Sequence, residues 1–254
     1  MKLDCVLTAV NENQLYLDFV PIFIKTWKKL YPSVDIQIIL ISTKIPDNLK
    51  IYSKHIILFK PIENISTAFI SQYIRLLYPC LLNYKNGIMI TDIDMLPMNK
   101  HYYIRNIKNI ENDKFIYLRN VCIDDWKQIV MCYNVALNKT WGDIFKISNV
   151  DDIKKRLVDV YKNINYIDGH GNSGWCSDQI DLYKYVFKWN KLTKKFIILD
   201  DKKTGFSRLD RKKFSLDDPV IRKKISKGLY SDYHCYRPMS EYSNINYAIY
   251  NLLQ

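Results

Sequence analysis

The sequence has no apolar run long enough to cross a membrane, which takes about 18 residues or more. Its longest run, Ile38–Ile41 with Ile36 before it, has the size of a strand. It also has no C-x-x-C pair. Its six cysteines, Cys5, Cys80, Cys122, Cys132, Cys176 and Cys235, are scattered, so metal–thiolate spacing is absent. Several sit in apolar segments, as reduced core thiols do. Glycine and proline are scarce, seven and eight among 254 residues. With no low-complexity run and no internal repeat, disorder beyond a loop or two is not expected. The N-terminal run is broken by Asp4 and leads straight into a strand, unlike a secretory leader. These absences predict a reduced, cytoplasmic protein with no transmembrane segment.

What is present is apolar residue, 48% of the chain, enough for one large core, and positive charge. A formal net charge of +12 implies a polyanionic partner or an anionic small substrate. Nucleic acid is one candidate and a nucleotide diphosphate another. Part of the excess falls in solvent-like patches such as Lys191, Lys194 and Lys195. No helix-turn-helix, zinc-finger spacing or aromatic-basic strand pattern favours nucleic acid.

Residues 3–10 read as a buried strand, with Asn11 after it. Leu15, Phe19, Phe23, Trp27 and Leu30 recur at helical spacing, and Pro21 breaks this stretch or opens its second helix. Strands follow at 34–41 and 55–59, then the clearest helix, 64–78, ending at Pro79. Thr67, Ser71 and Arg75 form a polar stripe on it, four residues apart and so on one face. The run 88–91 is a strand between Asn86-Gly87 and Pro97. Further on, 114–118 and 128–137 read as strands, 151–162 and 178–189 as helices, 200–217 as a charged loop, and the C-terminus from about Tyr242 as a helix. Strand–helix alternation with short connections predicts an α/β fold, a mostly parallel sheet flanked by helices, in which ligands collect at the carboxyl ends of strands.

Asp92 and Asp94 stand where the fourth strand leaves the core. Two acids there are costly to desolvate unless a cation lies between them, and a divalent metal can bridge carboxylates to phosphates. A solvated loop or a helix cap is the simpler alternative. An acid pair at a strand end also serves phosphatases, where the motif lies on the first strand, and metal-dependent nucleotidyltransferases.

The order of parts resembles the GT-A glycosyltransferases with a D-x-D motif, most nearly glycogenin, the bacterial lipopolysaccharide galactosyltransferases and small viral glycosyltransferases. The likeness runs from about residue 3 to 238. It rests on the opening strand Cys5–Asn11, the helix Ser66–Tyr78 with its Arg75, the D-x-D of Asp92-Ile93-Asp94, the pair Asp178-Gln179, and the late run Tyr233-His234-Cys235-Tyr236-Arg237-Pro238. The usual Gly of the late motif is missing, Arg237 stands for the usual Lys, and Ile180 stands where a second Asp is usual.

The resemblance implies one GT-A domain over 1–254, with a nucleotide-binding half (1–99) and an acceptor and catalytic half (100–254). It implies transfer of a hexose from a nucleotide-diphosphate sugar, UDP and retention favoured, to a glycan or protein-linked acceptor. Asp92, Asp94 and His234 would hold Mn²⁺ or Mg²⁺, one nitrogen among oxygens tilting the choice to Mn²⁺. Arg237 and Lys227 would add charge at the diphosphate, and Ile93 would line it. Thr8, Ala9 and Asn11 would line the nucleoside, and Arg75 would orient Asp92 or reach the donor. Asp178 is the candidate at the reacting centre, with helix capping as its competing role. Asn134 and Gln179 are candidates for sugar hydroxyls, Trp175 for an acceptor platform, and the glycine loop 169–174 for a lid.

Overall fold

The computed structural model describes residues 1–254. Ten strands are present: β1 (Leu3–Asn11), β2 (Asp35–Ile41), β3 (Ile56–Phe59), β4 (Gly87–Ile90), β5 (Met95–Pro97), β6 (Phe115–Tyr117), β7 (Asn134–Ala136), β8 (Phe196–Ile198), β9 (Arg208–Asp210) and β10 (Asp232–His234). Seven of them form one sheet in the order β3-β2-β1-β4-β7-β6-β8. The pairs β3/β2, β2/β1 and β1/β4 are parallel, β7 is antiparallel to both neighbours, and β8 runs parallel to β6. Residues from both halves of the chain therefore share one sheet. Its centre is apolar on both faces. All four β4 residues are buried, as are seven of the nine in β1, as expected of strands covered by helices.

The chain lays down β1, β2 and β3 to one side and then returns to place β4 on the other side of β1. That reversal opens a crevice between the carboxyl ends of β1 and β4, where open α/β sheets bind ligands. At the opposite, amino end of β4, Gly87 permits close packing. A Cβ on it would lie 2.8 Å from Val135 Cγ1 and 3.0 Å from the Lys2 carbonyl oxygen.

Helix Thr67–Leu77 packs on β1 and β2. It starts at Ser66, whose hydroxyl accepts from the Phe69 amide, as N-caps do. Pro21 sits in the first turn of helix Val20–Leu30, after a separate short helix Gln14–Leu17. A second, three-stranded sheet has β10 at its centre, antiparallel to β5 and parallel to β9. No helix is long and apolar enough to cross a membrane.

Three expectations change. The stretch 128–137 is a strand only over Asn134–Ala136. Its earlier apolar residues are buried, but Lys127 and Tyr133 have positive φ (51° and 76°), which ends regular pairing. The charged stretch 200–217 is not all loop, since it contains helix Asp201–Thr204 and β9. The C-terminal helix begins at Met239.

Candidate active site

A cavity of about 710 Å³ opens at the β1/β4 crevice, within the range of small-ligand sites. Ala9 and Asn11 line it from β1, and Ala68, Ser71, Gln72 and Arg75 from helix Thr67–Leu77. Asn11 Nδ2 donates to Thr67 Oγ1 at 3.1 Å, tying strand end to helix start. Thr8, expected at the nucleoside, is wholly buried with no partner for its hydroxyl and lies outside the lining. Thr8 lies farther from the strand end, and of its own face only Val10 reaches the cavity, while Ala9 and Asn11 share the other face.

Arg75 is the hub of the inner wall. Only 7% exposed, it donates to the Thr91 carbonyl at 3.1 Å, to the Asp92 carboxylate, and through Nη2 to Asp178 Oδ2 at 3.4 Å. One guanidinium thus bridges the D-x-D and the D-Q element, 86 positions apart. The other oxygen of Asp92 accepts from the Cys132 thiol at 2.8 Å. Asp178 lies in the first turn of helix Ser177–Thr193, where its Oδ1 accepts the Gln179 amide at 2.8 Å. The N-cap position is held by Cys176 without a side-chain cap bond, so Asp178 is not the cap but receives one free amide of the first turn. Burial pushes the Asp178 carboxyl up to about 7. Arg75 and the Gln179 amide oppose this, and the Asp92 charge adds to it.

Asp94 sits in the opposite electrostatic setting. Its Oδ2 lies 3.4 Å from Arg237 Nε, 3.5 Å from Arg211 Nη1 and 3.6 Å from His234 Nε2. Burial works to raise its carboxyl, but the His234 imidazole and the two guanidiniums hold it below the usual carboxylate range. Strand pairing produces this geometry. β10 pairs His234 with Met95, beside Asp94, and β9 pairs it with Asp210. Asp210 Oδ1 accordingly meets His234 Nδ1 at 2.9 Å, leaving Nε2 turned to Asp94. Arg237 donates to the Tyr16 hydroxyl at 2.6 Å and lies over its ring.

The residues read as metal ligands fit a divalent cation in their chemistry. Asp94 is held ionised, and His234 has its tautomer set by a carboxylate on the far nitrogen, as metal-binding imidazoles do. Asp92 is turned towards Arg75 and Cys132, so no three acidic, thiol or imidazole groups converge as the side chains stand.

Two other expected site residues are displaced. Asn134 is fully buried outside the lining, and its amide donates to the carbonyls of Val130, Met131 and Cys132 at 2.7–3.3 Å. It shapes the 130–132 turn rather than meeting a ligand. Lys227 ends helix Pro219–Ser226 and does not reach the cavity. Ile93, Gln179 and Trp175 do line it, together with Asp168 and His170 of the glycine loop. In that loop Gly174 has φ +72°, and a Cβ there would lie 2.9 Å from the Asn165 carbonyl oxygen. Sequence reading missed Tyr16, Cys132, Arg119, Arg208 and Arg211. The alternation Arg208–Asp210 inside the charged stretch was the available sign of a strand there.

No protein-family model matches the chain, and no curated protein matches it by sequence. Solved structures match its fold. The galactosyltransferase LgtC, in complex with donor and acceptor sugar analogues, aligns over 98% of this chain and 96% of its own, with a TM-score of 0.51 and 13% identity. The glycosyltransferase GlyE of Streptococcus pneumoniae TIGR4 aligns over 99% of this chain and 60% of its own, with a TM-score of 0.51 and 14% identity. The chain has a GT-A-like glycosyltransferase fold.

Proposed function

We propose that the protein transfers a hexose from a nucleotide-diphosphate sugar, UDP-linked and with retention of configuration, to a glycan or protein-linked acceptor in a reducing, cytoplasmic setting. One observation carries this reading. A single cavity at the sheet's switch point joins an acid pair, an imidazole keyed by a carboxylate, two arginines at the acid end, and a second buried acid bridged back to the first by Arg75. Asn11 and its neighbours on β1 would meet the nucleoside. Asp92, Asp94 and His234 would hold Mn²⁺ or Mg²⁺, which supplies Lewis-acid stabilisation of the departing diphosphate. Arg237 and Arg211 face the same point and offset the negative charge that grows on the leaving group, Arg suiting two-point contact with phosphate. Asp178, with Gln179 beside it, faces the same cavity and would orient or stabilise the reacting sugar.

The acid pair closes the fourth strand rather than the first, where phosphatases with an Asp nucleophile carry it.

Calorimetry of UDP with and without Mn²⁺, followed by a hydrolysis screen of nucleotide sugars, tests the reading. UDP binding that collapses on chelation supports it; undiminished affinity in EDTA removes the metal from it. Asp178→Asn should keep donor binding and lose at least about 100-fold in turnover.

A further inference from the structure

Two guanidiniums in the cavity play no part in the scheme above. Arg119 follows β6, and its Nε donates to both oxygens of Asp201, at 2.8 and 2.9 Å. Its guanidinium carbon lies 3.5 Å from the centre of the Phe206 ring. Arg208, on β9, donates through Nε to Asp232 at 3.0 Å and through Nη2 to the Tyr133 hydroxyl. It lies over the same Phe206 ring at 5.7 Å. Each arginine is thus clamped along one edge by a carboxylate and steadied by an aromatic face. Arg119 has no protein acceptor for either Nη, and Arg208 has none for Nη1. None of these nitrogens is sealed from solvent, and both side chains line the cavity.

A guanidinium fixed by its Nε edge presents its remaining N–H groups as a rigid fork, a shape that matches carboxylate and phosphate oxygens. The fork is already ordered, so little side-chain entropy is lost on binding. Neither arginine belongs to the diphosphate end, where Arg211 and Arg237 close on Asp94. Arg208 pairs instead with Asp232, two residues before His234 and so about 6–7 Å back along β10. Val130 and Met131 add apolar surface to the same cavity. A carboxylate or phosphate oxygen makes charge-assisted hydrogen bonds to these N–H groups, roughly twice as strong as those that a neutral sugar hydroxyl accepts.

We infer that Arg119 and Arg208 form an anion-selecting acceptor subsite, and that the acceptor is an acidic glycan carrying a carboxylate or a phosphate. The subsite rests on the glycosyl-transfer reading, and it gives the strong positive charge of the chain a local use.

The test compares matched acceptors (methyl glucoside, methyl glucuronide and methyl glucoside 6-phosphate) with the full chain, Mn²⁺ and the donor found by the screen. At least one acidic acceptor should exceed the neutral one about 10-fold or more in kcat/KM, as hydrogen bonds to charged groups allow. Its identity distinguishes carboxylate from phosphate. Arg119→Gln and Arg208→Gln should erase that preference through KM, with UDP affinity and neutral-acceptor turnover within about twofold. Arg119→Lys, which keeps a charge opposite Asp201, covers the case where the Gln variants fail to fold. It should lose most of the preference with the fork. Equal kcat/KM for acidic and neutral acceptors, or a preference that survives the arginine variants, overturns the inference. Direct titration of the glucuronide and the glucoside into the protein separates the two levels. Arginine-dependent glucuronide binding with no UDP binding would sink the transferase reading and keep the anion site. UDP binding with no difference between the two glycosides would do the reverse.

Discussion

Asp94 and Asp178 are almost equally buried, at 5% and 2% exposure, yet their carboxyl groups are driven in opposite directions. Asp94 has an imidazole and two guanidiniums within 3.6 Å. Asp178 has one guanidinium at 3.4 Å, which it shares with Asp92. Desolvation acts on both, so the count of cations decides the sign. The floor of the cavity is built to keep an acid ionised, and the inner wall to make ionisation costly. In the proposed reaction, a cation at one acid and a reacting sugar at the other would use that division.

The largest test of the contrast removes the shared cation. Arg75→Met removes the one cation between two carboxylates, leaving Asp92 the Cys132 thiol and Asp178 the Gln179 amide. Breaking a buried pair in this way costs about 3–5 kcal/mol, or roughly 10 °C in melting temperature for a chain of this size. A melting temperature within 3 °C of the parent, estimated by the same scaling as about 1 kcal/mol, would show that Arg75 is not what holds the wall together.

Next in size is the support of His234. Asp210→Asn should weaken Mn²⁺-dependent UDP binding by about 10–100-fold, the usual effect of losing the carboxylate behind a metal-binding imidazole. Magnesium or manganese titrations by calorimetry read this directly, and an unchanged affinity would detach His234 from the metal.

The pH dependence separates the two acids. The Asp178 carboxyl is raised from 3.8 to about 7, so its contribution to stability is fully present below pH 4 and is lost as pH rises through 7. Asn does not titrate. Asp178→Asn should therefore match the parent near pH 4 and exceed it at pH 8 by about 1 kcal/mol or more, roughly 2–4 °C in melting temperature. A gap that is wider at pH 4 than at pH 8 would reverse the assignment. The smallest effect is expected of Lys227→Ala. Lys227 lies outside the cavity, so UDP affinity should stay within about twofold, as for a surface change away from a site.

Much of this site was legible in the sequence because it rests on local order. An apolar run ending in two acids gives β4 and the D-x-D, and spacing by four gives the face of Arg75. What stayed hidden depends on pairing between distant segments. Nothing local says that β9 pairs with β10, so Asp210 could not be placed behind His234, nor Arg208 beside Asp232. Asn134 misled for a related reason. It stands opposite Ile90 in the sheet, close to the acids, but the turn formed after Lys127 claims its amide. The positive φ values of Lys127 and Tyr133 come from packing and carry no glycine to announce them.

The small sheet also sets an order of events during synthesis. β5 has no strand partner except β10, and the Asp94 carbonyl accepts the amide of Cys235. The seven-stranded sheet is complete in sequence once β8 has emerged from the ribosome, 34 residues before Asp232. The nascent chain can therefore close its main core while Asp94 is still exposed to water. Charge is drawn in around that acid only when β10 arrives and brings His234 and then Arg237 to it.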